Sequence, residues 1–96
     1  MVKSNVSLQV IPSTEKEADL YPIVDKVIEL IKESGVKYQV GPMETTMEGE
    51  LDELLEIVRE AQHVCEKHGA RRVLSVVKID YKPGGVTMGE KMEGHE

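Results

Sequence analysis

Apolar and polar positions alternate near the start of the chain, where Val6, Leu8 and Val10 are interleaved with Ser7 and Gln9. A period of two marks a strand that buries one face. Pro12 and the polar stretch 13–17 end it. The period then lengthens: Leu20, Ile23, Val24, Val27, Ile28 and Ile31 form one helical stripe, with Asp25, Lys26, Glu29 and Lys32 opposite. Pro22 is tolerated only in a first turn, so this helix is expected to start near Asp19, a competent N-cap. A start from the Thr14–Glu17 capping box would leave Pro22 inside the helix and kink it. Ser34-Gly35 supplies a left-handed stop.

The second half repeats the first. Val36–Val40 alternates, Gly41-Pro42 breaks the chain, and Met43–Glu48 gives another extended run, so the two read as a hairpin. Glu50, Asp52 and Glu53 then favour a helix start at the positive end of the dipole. The expected stripe of this second helix is Leu51, Leu54, Leu55, Val58, Ala61 and Cys65, ending at Gly69. Arg72–Tyr81 reads as a last strand with apolar residues on both faces, Val73, Val77 and Ile79 as well as Leu74 and Val76. The remainder opens as a turn at Pro83-Gly84-Gly85. Thr87–Glu90 has capping-box spacing for a short helical turn, and Gly94–Glu96 is expected to fray.

Two βαβ units joined by a hairpin predict an α+β, ferredoxin-like βαββαβ sandwich. Right-handed crossovers put both helices on one face of a four-stranded antiparallel sheet, with the first and third strands at its centre. The expectation is a single domain over residues 1–96, with its core about 5–81 and a C-terminal tail 82–96. The second sheet face then has no cover of its own. If Val6, Leu8 and Val10 meet the helices, Ser7, Gln9 and Ile11 face outward, joined by Leu74, Val76, Lys78 and Asp80 or their alternates. A half-apolar sheet face is costly to leave in water. The expectation is therefore a homo-oligomer assembled through this face, with a small pocket between subunits.

Composition narrows the partners. The net charge of −6 over 96 residues argues against a nucleic-acid binder, and strand aromatics for stacking bases are lacking, with no Phe or Trp. No apolar run is long enough to span a bilayer, and the chain starts without a signal-peptide pattern. A lone cysteine, Cys65, makes no internal disulfide and fits a reducing compartment, so a cytoplasmic location and no membrane partner are expected.

The most informative chemistry lies in Thr45-Thr46-Met47-Glu48-Gly49, with hydroxyls and a carboxylate at the end of a central strand. Threonines can hydrogen-bond an aminopyrimidine edge, and an ionised Glu48 can pair with an amino group or a cation. Spacing alone favours the plainer reading, in which threonine forms strands and Glu48 precedes a helix. Ser7 and Gln9 would lie beside this strand; Tyr38 could stack on a flat heterocycle or be a core residue with its hydroxyl at the edge. His63 and His68 are five apart, which misses the i, i+4 spacing of a helical metal site, so no metal is expected. Cys65 reads as a buried structural thiol, with no partner placed to activate it. Gly84-Gly85 lacks the phosphate-loop pattern. Acylphosphatase-like hydrolysis would need an anion cradle and a water-positioning Asn, whereas 12–17 is acidic and the one Asn is Asn5. No catalytic residue is assigned and no enzyme is expected.

Three segments in order, Val6–Pro12, Gly41–Glu50 and Val76–Thr87, resemble the thiamine-binding protein family of small ferredoxin-like proteins, and the likeness spans roughly residues 5 to 92. The resemblance implies a dimer of dimers with sheets packed together, and binding of thiamine or its hydroxymethylpyrimidine moiety without established catalysis or a cofactor. The family's T-x-x-E-G element falls on Thr45, Glu48 and Gly49, and its first-strand polar positions on Ser7 and Gln9. Ser7, Gln9, Tyr38, Thr45, Thr46 and Glu48 are thus the expected ligand-binding residues. The alternative is a structural or regulatory homo-oligomeric module without thiamine binding.

Overall fold

The structure, a computed structural model, describes residues 3–16 and 19–92, without the side chains at 90 and 91. The elements run β1 (Ser4–Ser13), α1 (Leu20–Ser34), β2 (Lys37–Val40), β3 (Thr45–Gly49), α2 (Leu51–Lys67), β4 (Arg72–Asp80) and α3 (Met88–Met92). Glu17 of the Thr14–Glu17 box and the fraying of Gly94–Glu96 lie outside the described residues, as does the Glu90 side chain of the Thr87–Glu90 box; Thr14 donates to the Lys16 carbonyl, and α1 starts at Leu20.

The strands form one antiparallel sheet in the order β2-β3-β1-β4, as expected of the ferredoxin-like α+β fold. β1 pairs with β4 along Asn5–Ser13 and with β3 along Ser4–Leu8. Both ladders run without a bulge, so the pleat stays in step across the centre of the sheet. α1 starts with Pro22 inside its first turn and stops at Gly35, whose φ of 84° is a left-handed cap suited to glycine. Asp19 occupies the N-cap without a side-chain capping bond.

Both helices cover one face. Val6 and Leu8 from β1, Met47 from β3, Ile23, Val27 and Ile31 from α1, and Leu54, Ile57, Ala61 and Cys65 from α2 make the buried core. The stripe of α2 differs from the expected one: Ile57 takes an inward position, and Leu55 is exposed. The sequence 54-57-61-65 steps by three, four and four, which follows the 3.6-residue turn. Cys65 is fully buried, and burial pushes its thiol pKa up. Ser75 on β4 donates to Gln62 Oε1 on α2 at 2.8 Å, a polar stitch between helix and sheet.

The opposite sheet face is not wholly open. After β4 the chain turns at Gly85 and comes back to β1, where the Val86 N–H donates to the Lys3 carbonyl at 3.0 Å. Val86 and Met88 are buried, so the tail covers one end of the face that was expected to be bare. Ile11, Leu74 and Val76 remain exposed at the other end.

Leu54 is fully buried between the sheet and its own helix. Replacing it with Ala should destabilise the fold by about 2–5 kcal/mol, by lost transfer energy and a residual cavity. A lowered denaturant midpoint with an unchanged slope would show this.

Candidate functional site

The register of β1 decides which side chains share the uncovered face. Asn5 stands opposite Glu48 and Asp80, and Ser7 opposite Thr46 and Lys78. Val6 and Leu8, one residue off, stand opposite Met47 and Thr45 and face the helices. Successive side chains point to opposite faces. The residues expected from the sequence to form one cluster are therefore divided. Ser7, Gln9, Thr46 and Glu48 belong to the uncovered face. Thr45 is buried on the helix side beside Leu8, and Tyr38, opposite Met47, packs against the core. Tyr38 thus takes the core position left open as its plainer reading.

Glu48 is also used differently from a simple helix-start acid. It is 5% exposed, and its Oε1 accepts the Met88 backbone N–H at 2.7 Å. The ammonium of exposed Lys3 approaches the other oxygen at 3.9 Å. A buried carboxylate needs such partners, and the tail supplies the main one. Glu48 therefore docks the tail onto the sheet.

The acid at the middle of the face is Glu44, which lies inside the expected Met43–Glu48 run but is not among the expected ligand-binding residues. β3 begins at Thr45 rather than Met43, so Glu44 sits at the foot of the hairpin loop. The loop is closed by the Gly41 N–H donating to the Glu44 carbonyl at 2.8 Å. A Cβ on residue 41 would lie 3.0 Å from that same oxygen, so the close approach calls for glycine. The Glu44 side chain then reaches over β1: Ser7 Oγ donates to its Oε2 at 3.0 Å and Lys78 Nζ to its Oε1 at 2.9 Å. The hydrogen bond from Lys78, then that from Ser7, hold the Glu44 pKa below its ordinary value.

Two adjoining hollows meet at this carboxylate. One, of about 340 Å³, is lined by Asn5, Ser7, Glu44, Thr46, Lys78 and the strand end at 79–80. The other, of about 320 Å³, lies between Gln39, Thr46, the 41–44 loop and the methionines Met88 and Met92 of the tail. Glu44 and Thr46 wall both. Asn5 is 2% exposed; its amide nitrogen donates to the Ser4 carbonyl, and its Oδ1 has no hydrogen-bond partner among the described residues. An acceptor left unpaired in a buried site is costly, and Asn5 is among the residues that line the first hollow. Gln9 lies further along β1, opposite Val76. Chemically, the site offers a carboxylate and an amide oxygen as acceptors, hydroxyls of either sense, and a thioether-lined apolar wall. The sequence signal for Asn5 and Glu44 was the period of two from Ser7, combined with the loop that brings residue 44 beside it.

Among the described residues no helix is long and apolar enough to cross a membrane.

The comparisons with known proteins agree with this architecture. The sequence profile of the family described as thiamine-binding protein matches residues 6–96. A UPF0045 protein of Clostridium perfringens is 64% identical over 88 residues, 92% of each chain. The solved structure of a domain of unknown function, DUF77, from Bacillus cereus superposes with a TM-score of 0.94 at 45% identity, covering 99% of this chain and 91% of that one. A Thermotoga maritima protein provisionally assigned to thiamine biosynthesis/salvage superposes with a TM-score of 0.90 at 39% identity, covering 98% and 99%.

Two predictions follow from the geometry. Glu48→Ala removes the acceptor of the Met88 N–H, and its amide should exchange with solvent roughly tenfold faster or more, as loss of a charged hydrogen bond allows; native-state hydrogen exchange reads this directly. Lys78→Met should raise the Glu44 pKa toward the ordinary carboxylate value, seen by carboxyl-carbon NMR titration. Because the folded pKa is depressed, the stabilisation from this contact is present above the unfolded value. It is lost as the pH falls through the folded value, and the variant should lack that component.

Proposed function

The chain belongs to the thiamine-binding protein family, and on that premise we propose that it is a small-molecule binding protein for thiamine or its hydroxymethylpyrimidine moiety. The ligand sits on the uncovered sheet face, in the two hollows that share Glu44 and Thr46. The observation that carries this reading is that Glu44, its carboxyl held below the ordinary pKa, and Asn5, whose buried side-chain carbonyl has no partner among the described residues, line one hollow. An aminopyrimidine presents N–H donors beside ring-nitrogen acceptors, and this face offers acceptors in Glu44 and Asn5, a hydroxyl donor in Thr46 and, because its proton is given to Glu44, an acceptor oxygen in Ser7. A thiazolium cation is favoured near a carboxylate, and its apolar rim suits the Met88 and Met92 wall.

In this proposal Ser7, Thr46, Asn5 and Glu44 make the polar contacts. Glu48 supports them by holding the tail, and Thr45 and Tyr38 are excluded by the face they occupy. The exposed Ile11, Leu74 and Val76 support a second part of the proposal, that copies of the chain pack their sheets together and complete the site at a subunit interface. No catalytic step is assigned to it.

Calorimetric titration of thiamine, hydroxymethylpyrimidine and thiamine phosphate tests the reading, with the oligomeric state measured in parallel. Saturable binding is expected, weakened at least tenfold by Glu44→Gln and by Ser7→Ala, and unchanged by Thr45→Val. Absence of binding by a folded oligomer would sink the proposal, and equal loss in all three variants would move the site off this face.

A further inference from the structure

Resting on this open-face site, we infer that Lys78 is an internal counter-ion of Glu44, holding the acceptor that a ligand's N–H edge takes and setting affinity by its displacement. The two partners of Glu44 are unequal. Ser7, 7% exposed in a central strand, binds Oε2 from a fixed position. Lys78 binds Oε1 from the exposed strand β4, and its side chain is 68% exposed. A lysine ammonium on a flexible stem is easily rehydrated when it lets go. An exposed ion pair is also worth little, so this contact can be exchanged for a better one. Ser7 cannot make the same exchange without leaving its hydroxyl buried.

The surroundings of Oε1 favour such an exchange. Lys78 and Asn5 line the same hollow, and the Asn5 side-chain carbonyl, buried behind that wall, has no hydrogen-bond partner among the described residues. A planar ligand edge with N–H donors can bind the Glu44 carboxylate and, with the Asn5 amide turned into the hollow, satisfy its carbonyl as well, which the ammonium does not do. The gain from pairing a buried carbonyl then outweighs the loss of an exposed ion pair. Ser7 keeps Glu44 aimed over β1 whether or not the ammonium is in place, so the acceptor is pre-oriented. Specificity follows from the competition. A ligand must offer donors to both oxygens to displace the lysine, and one that offers a lone ammonium only replaces like with like.

The test titrates the cation thiamine and the neutral hydroxymethylpyrimidine against the wild-type chain and the Lys78→Met, Lys37→Met and Glu44→Gln variants. Lys37 lies on the same sheet face, opposite Glu48 in register, and its replacement changes the net charge equally without touching Glu44. The expected result is about two- to fivefold tighter binding of both ligands to Lys78→Met, the range an exposed pair allows, with Lys37→Met unchanged. Tighter binding of thiamine alone, shared by Lys37→Met, would assign the effect to the general field and overturn the inference. Weaker binding by Lys78→Met would make Lys78 a ligand contact, overturning the inference while leaving the proposed site intact. No binding by the wild-type chain, or no loss in Glu44→Gln, would overturn the site itself and this inference with it.

Discussion

Strand β1 is paired on both sides, with β3 along one edge and β4 along the other, and both ladders keep an unbroken register through Asn5–Leu8. That double pairing fixes the pleat, and the pleat sorts every neighbouring side chain to one of two faces. Val6 and Leu8 go to the helices and carry Met47 with them into the core. Asn5 and Ser7 go to the other side and carry Thr46 and Glu48. A slip of one residue would bury Asn5 and Ser7 under α1 and α2 and expose Val6 and Leu8, at a cost of about 1.5–3 kcal/mol for each large apolar side chain. The hydrophobic effect acting on β1 thus selects which polar groups meet at the site.

The same constraint explains what could be read from the sequence. The alternation at 6–10, the stripe at 20–31, and the glycines at 35 and 69 each signal one local state, and they agree with one another. The order of elements and the pairing of the first and third strands followed from them. The choice between Leu55 and Ile57 on α2 did not, because both fit a broad apolar face. The difference arises only when the helix is laid on the sheet, with Leu54, Ala61 and Cys65 already inward. Thr45 and Thr46 were adjacent in the sequence and seemed one motif, yet adjacency in a strand is what separates them. The sequence resemblance pointed to the segment around Thr45–Gly49 but carried no information about face.

The role of the tail was the least legible. Val86 and Met88 belong to no long periodic run, and their burial depends on a carboxylate forty residues earlier in the chain, Glu48. No local pattern announces such a partner. Once the tail is docked, it shapes the site by placing Met88 and Met92 against Gln39 and Thr46. A surface that would otherwise be flat and half-apolar then acquires a wall.

Two acids on one face need not serve one purpose, and their partners tell them apart. Glu48 accepts a backbone N–H at 2.7 Å in a buried place, and replacing that donor with a ligand would strand the Met88 amide and release the tail. Glu44 is held by a hydroxyl and by an exposed ammonium, neither of which anchors a segment of chain. Exchange at Glu48 is therefore coupled to local unfolding, whereas exchange at Glu44 moves one flexible side chain. A reversible binding site is built more readily on the second, and this is why the hairpin acid rather than the strand acid is the better candidate to meet a ligand.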